Sequence, residues 1–121
     1  MFDVLVCYFV CSYEDHGMKL SKALSGKSAK YPTILLAHQP KAAQQALNQF
    51  SDIDLILSGH THGGQFFPMH IPLYLFNPFF AGLYKHKETY VYVSSGTYFY
   101  GIPLRIGSTP EITILTLVQK Q

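Results

Sequence analysis

The sequence predicts an α/β protein built on a parallel sheet. Two apolar runs rich in β-formers, residues 33–37 and 54–58, flank a stretch at 41–50 whose apolar positions recur at helical spacing. Each run stops at histidine, in Ala37-His38-Gln39-Pro40 and in Ser58-Gly59-His60-Thr61-His62-Gly63-Gly64-Gln65. Ligands bind where parallel strands end, so both histidine segments fall where a site is expected.

The elements follow in chain order. Residues 4–10 form an apolar run of strand length, suited to a buried or edge strand. Residues 15–24 suit a short helix with Leu20 and Leu24 on one face and Gly26 as its stop. After the strand at 33–37, Pro40 suits a first helical turn. Ala43, Ala46, Leu47 and Phe50 then share one face of a helix at 41–50. With the strand at 54–58 this makes a β-α-β unit, whose right-handed crossover would set His38 and His60 at the same sheet edge.

Beyond Gln65 the chain becomes aromatic and nearly uncharged. Residues 66–84 approach the length of a membrane span, but Pro68, Pro72 and Pro78, with His70 and Asn77 between them, argue against one. An irregular excursion packing beside the site mouth is expected. The alternative is an interfacial lip, with Phe76, Phe79, Phe80 and Tyr84 meeting lipid and Lys85 and Lys87 at the headgroups. His70 and His86 have no matching partner here and are not assigned to the site. Residues 89–94 alternate with period two, as a strand does, and 95–97 turn. A short strand at 104–106 and a closing one at 111–118, carrying Ile112, Ile114 and Leu117, complete one domain without repeats or linkers.

Composition narrows the function classes. The chain has 121 residues, 48% apolar and only 13% charged, so some apolar surface should lie exposed, with a tendency to aggregate. A net charge of +2 with scattered lysines does not suit nucleic-acid binding. Cys7 and Cys11 are too few for a disulfide framework and read as small apolar residues. Neither a signal peptide nor a transmembrane segment is expected.

The histidines carry the chemistry. Neutral imidazole is the commonest metal ligand, and two on one turn can converge on neighbouring ions. Gly59 and Gly63 would shape that turn, with Gly64 as a further backbone contributor. His38, His60 and His62 are therefore the candidate ligands. Three imidazoles could hold one Zn²⁺ with an open position, or be divided between two ions.

Gly59-His60-Thr61-His62, preceded by the isolated His38, resembles the C-terminal half of the calcineurin-like metallophosphoesterases. The extension Gly63-Gly64-Gln65 and the tail from Val93 through Arg105, Gly107 and Pro110-Glu111-Ile112 are similar to the family's branch of bacterial and animal transmembrane members. The resemblance covers residues 16–121 and leaves 1–15 as an unmatched N-terminal segment. It implies half of a four-layer α/β/β/α sandwich. It also implies a site of two divalent ions (Mn, Fe or Zn) at which a metal-bound hydroxide attacks a phosphoester. His38 and His60 would bind one ion and His62 the other.

The family's upstream Asp-x-His, Gly-Asp-x-x-Asp/Asn and Gly-Asn-His-Asp/Glu blocks have no match, and Asp3, Asp15, Asp52 and Asp54 fit none of them. The chain thus reads as a C-terminal fragment with half an active site, and its catalytic residues are unassigned. Gln65 and Arg105 are candidate substrate contacts. The alternative function is a non-catalytic truncated product or an interaction module derived from the same fold. A membrane location follows by family analogy, and the phosphoester substrate is not specified.

Overall fold

The computed structural model describes residues 3–7 and 19–118, the first of these segments by its backbone alone. Its architecture is mixed α/β, as expected. Five strands form one sheet: β1 (Asp3–Cys7), β2 (Thr33–Ala37), β3 (Leu55–Ser58), β4 (Gly82–His86) and β5 (Thr89–Val93), in the order β1-β2-β3-β5-β4. The first four positions of that order pair in parallel, and β4 returns antiparallel along β5. The expected strand at 4–10 is β1 over its first part, and its remainder lies outside the described residues, as do Asp15–Met18 of the first expected helix. The proposed boundary between residues 15 and 16 also falls there.

The register explains why the sequence chooses these strands. Ile34, Leu35 and Leu36 sit beside Leu55, Ile56 and Leu57, which in turn sit beside Tyr90, Val91 and Tyr92. Leu35, Ile56, Val91 and Val93 are fully buried, and they form the core with Ile53 and Ala37. Strands covered by helices read as continuous apolar runs, whereas β5 alternates because Tyr90 on its other face meets solvent.

Helix α2 (Pro40–Gln49) spans the step from β2 to β3. Proline at its first position gives up an N–H that has no helical partner there. Its inner face is alanine, with Ala42, Ala43 and Ala46 buried, so the helix backbone lies close to the sheet. Leu47 and Phe50 pack half-buried at its end. The short α1 (Leu20–Ala23) adds Leu20 and Leu24 to the same core. The far edge is pinned by Thr33 N–H donating to Asp54 Oδ2 at 2.7 Å and by the Thr89 hydroxyl donating to Ile53 O at 2.6 Å.

Two expectations are corrected. The stretch 66–84 is not irregular: it contains α3 (His70–Phe76) and the first residues of β4. Pro72 does not prevent α3 because it occupies the third helical position, where its missing N–H has no intrahelical acceptor to lose. Residues 104–106 and 111–118, in turn, form no strand. Ile106 makes one isolated bridge to Phe66, and Ile112 and Ile114 are 87% and 88% exposed. An alternating pattern becomes a strand only beside a neighbour that takes its hydrogen bonds, and residues 111–118 lie along neither edge of the sheet. This exposed tail, with α3, carries much of the apolar surface anticipated from composition. Among the described residues no helix is long and apolar enough to cross a membrane.

Candidate metal centre

Both histidine segments leave the same end of adjacent parallel strands. His38 follows β2 directly, and Gly59 follows β3; the Gly59 N–H donates to His38 O at 3.0 Å, tying the two loops together. His60 Nδ1 then faces His38 Nε2 at 3.3 Å, with the rings nearly perpendicular at 75°. Two imidazole nitrogens sharing a tetrahedral ion at about 2.0–2.1 Å each stand about 3.3–3.4 Å apart. The observed separation matches that spacing, and it also matches a hydrogen bond between the two rings. In that bond one nitrogen carries a proton and donates to the other. Burial, and then the charges of His38 and His62, hold the His60 pKa below its ordinary 6.5, which favours the neutral, ligating form.

His62 is oriented separately. Its Nδ1 meets Tyr98 O at 3.2 Å, leaving Nε2 as its outward nitrogen. Among the described residues no three His, Cys, Asp or Glu side chains lie close enough to hold one ion together. The three candidate ligands thus stand as a pair plus one, which fits a division between two ions rather than a single three-imidazole Zn²⁺ site.

The turn that carries them is strained. His60, His62 and Gln65 have φ of 71°, 50° and 48°, and Gly63 and Gly64 have 56° and 77°. Left-handed conformations cost a non-glycine residue about 1–2 kcal/mol, so the surroundings must hold them. Thr61, 3% exposed, donates its hydroxyl to Phe80 O at 2.7 Å, and Thr61 Oγ1 in turn accepts the Gly63 N–H at 3.4 Å. A side chain at Gly63 would strike Ser95 and Ser108; at Gly64 it would strike His70. Gly59 differs from both. It is not left-handed, and a Cβ there would meet Ser94 O no closer than 4.0 Å, so the reversal begins at His60 instead.

Gln65 and Arg105 both point into the scaffold. The buried Gln65 amide donates to Tyr100 O at 2.9 Å and Ile102 O at 3.2 Å, and accepts from Tyr100 N–H at 2.6 Å. Arg105 is held by carbonyls at 95–98 and by His62 O. Neither is presented as a free phosphate contact.

Sequence reasoning missed several supports: the Thr61 hydroxyl, the Tyr98 carbonyl, and Ser108, which donates to His62 O at 2.8 Å. It also missed Glu111, which accepts from Ser95 N–H and from Tyr92. Burial works to raise the Glu111 pKa, but the hydrogen bonds from Ser95, Tyr92, Ser94 and Thr113 outweigh it and hold it below 4.5. Of these, only Thr61 had a local signal, as a hydroxyl inside a glycine-rich turn. The rest depend on chain segments distant in sequence, 36 and 46 residues away for Tyr98 and Ser108 and 16 to 19 for Glu111. His70, left out of the site, packs against Gly64 and Gly107 as a structural neighbour of the turn.

The four aromatics considered for lipid contact divide. Phe76 is exposed, whereas Phe79 and Tyr84 pack on the core and on each other, with ring centroids 5.1 Å apart. Phe80 contributes the carbonyl that anchors Thr61.

Three relatives place this geometry among known sequences. A transmembrane protein with metallophosphoesterase domain from Bos taurus is 62% identical over 109 residues, covering 89% of this chain and 24% of the relative. Its counterpart from Danio rerio is 58% identical, covering 88% and 25%. An uncharacterised metallophosphoesterase from Helicobacter pylori is 46% identical, covering 93% and 30%. The chain therefore spans about a quarter to a third of the length of these relatives. No family model and no solved structure matches it.

Proposed function

Because this chain is related in sequence to the metallophosphoesterases over most of its length, we propose that it supplies the imidazole half of a two-ion centre for phosphoester hydrolysis. That relationship implies dependence on divalent metal in general. The observation that carries the reading is the His38–His60 pair, set 3.3 Å apart at the ends of adjacent parallel strands. His38 and His60 would hold one ion, and His62 would contribute to the second. Among the described residues no carboxylate joins them, so further ligands would complete each ion.

Divalent ions at such a centre supply Lewis acidity toward the phosphoryl group and lower the pKa of a bound water. Mn, Fe and Zn all suit imidazole. The contribution of this chain is orientation. The strained turn fixes His60 and His62, Gln65 staples the loop at 100–102 beneath them, and Arg105 braces the loop at 95–98.

The test is Mn²⁺-dependent hydrolysis of an aryl phosphodiester by a polypeptide that joins this chain to the upstream blocks of a metallophosphoesterase relative, compared with its His60→Ala variant. A rate lost in the variant supports the hydrolase reading. Equal rates would favour the alternative, a non-catalytic module derived from the fold.

We further propose a membrane surface as the place of work. The supporting observation is that Ile71, Tyr74, Leu75 and Phe76 of α3 are all exposed, in a stretch where no acidic residue occurs between Asp54 and Glu88. Cosedimentation with anionic vesicles, reduced in Leu75→Ser/Phe76→Ser, supports this contact. Failure to sediment would remove it.

A further inference from the structure

Arg105 has no carboxylate partner among the described residues, where the ion pair is Lys27 with Asp52. Its guanidinium is surrounded by oxygens of another kind. Nη2 donates to Ser95 O at 2.8 Å and to Tyr98 O, and Nε donates to Tyr98 O at 3.1 Å. Nη1 donates to Ser108 Oγ at 3.1 Å and reaches His62 O at 3.4 Å. A rigid planar fork of five N–H groups can serve such a ring of acceptors, where a single ammonium cannot.

Two of these acceptors belong to the surroundings of one side chain. His62 O is that residue's own backbone, and Tyr98 O is the atom its Nδ1 meets. Arg105 Nη2 also lies 3.4 Å from His62 Nδ1. Nη2 has only two hydrogens, however, and Ser95 O and Tyr98 O are both nearer acceptors. The His62 Nδ1 lone pair is therefore not what Arg105 addresses. A carbonyl oxygen only accepts, so the 3.2 Å contact of Nδ1 with Tyr98 O is a hydrogen bond only if Nδ1 carries the proton.

We propose that Arg105 is a positioning residue that selects the Nδ1–H tautomer of His62, by holding His62 O and Tyr98 O in one guanidinium fork. A histidine side chain in water favours the other tautomer, with the proton on Nε2, and the hydrogen bond at one ring nitrogen decides the state of the other. Arg105 thereby frees Nε2 to act as a ligand without touching metal or substrate itself. The inference rests on reading His62 as a ligand, but its test does not involve metal.

Nitrogen-15 NMR of the histidine rings in the metal-free chain reads the tautomer directly. The expected result is Nδ1–H at His62 in the wild type and a shift toward Nε2–H in Arg105→Lys, which keeps the charge but loses the fork. Ser108→Ala, which removes only the hydroxyl between Nη1 and His62 O, should shift it partially.

Nε2–H in the wild type would overturn the proposal. So would an unchanged tautomer in Arg105→Lys with a native amide spectrum. Should Arg105→Lys unfold, an unchanged tautomer in Ser108→Ala overturns it instead.

Discussion

Gly63→Ala isolates the force that shapes the histidine turn. Gly63 has φ of +56°, and a Cβ there would lie 2.7 Å from Ser108 Oγ and 2.8 Å from Ser95 Oγ. The left-handed backbone costs alanine about 1–2 kcal/mol. Forcing apart two loops that are already hydrogen-bonded to the turn adds about 1–3 kcal/mol. The expected destabilisation is thus about 2–5 kcal/mol. Gly26→Ala is the matched control, because Gly26 has φ of +81° with nothing within 4 Å of its Cβ position. It should lose only the backbone part, about 1–2 kcal/mol. Urea denaturation of both variants, read at the midpoint with unchanged slope, measures the difference. If Gly63→Ala lost no more than Gly26→Ala, the turn would not be clamped between the loops at 95 and 108, and the account of its rigidity would fail.

Three other outcomes follow from the same geometry. Gln65→Ala removes three hydrogen bonds between the turn and the loop at 100–102. It should cost about 1–3 kcal/mol in a urea titration, with faster amide exchange at Tyr100. Thr61→Val keeps the shape but leaves Phe80 O without its donor; a loss of about 1–3 kcal/mol is expected in the same assay. The third concerns pH. His60 has a folded-state pKa below 6.5, so the folded chain binds fewer protons than the unfolded one between the two values. Its contribution to stability should be complete above pH 6.5 and be lost as pH falls through the folded pKa. His60→Gln should flatten that dependence, and an unchanged pH profile would contradict the assignment.

Much of the site was legible because its two key histidines sit beside unambiguous elements. The runs at 33–37 and 54–58 could only be buried strands, and the alanine-faced helix between them required parallel neighbours. That topology alone brings His38 to His60. What stayed hidden depends on partners distant in sequence. The left-handed backbone falls at His60 rather than at Gly59, and Ser95 and Ser108, which flank the turn at Gly63, come from outside the motif. Arg105 looked like a phosphate contact because a free guanidinium suits phosphate, and nothing local reveals that the carbonyls of Ser95 and Tyr98 use it. Proline as a helix breaker misled at Pro72 because the rule applies to helix interiors, not first turns. The tail at 111–118 has strand composition, but composition supplies no neighbour to pair with.

If His38 and His60 hold one ion between them, neither imidazole binds it without the other. Zn²⁺ titration calorimetry of the wild type, His38→Ala, His60→Ala and the double variant tests it as a cycle. The account predicts that either single substitution abolishes the same binding event and that the double variant loses nothing more. Singles that each remove only part of the affinity, with losses that add in the double variant, would mean the two imidazoles do not share an ion.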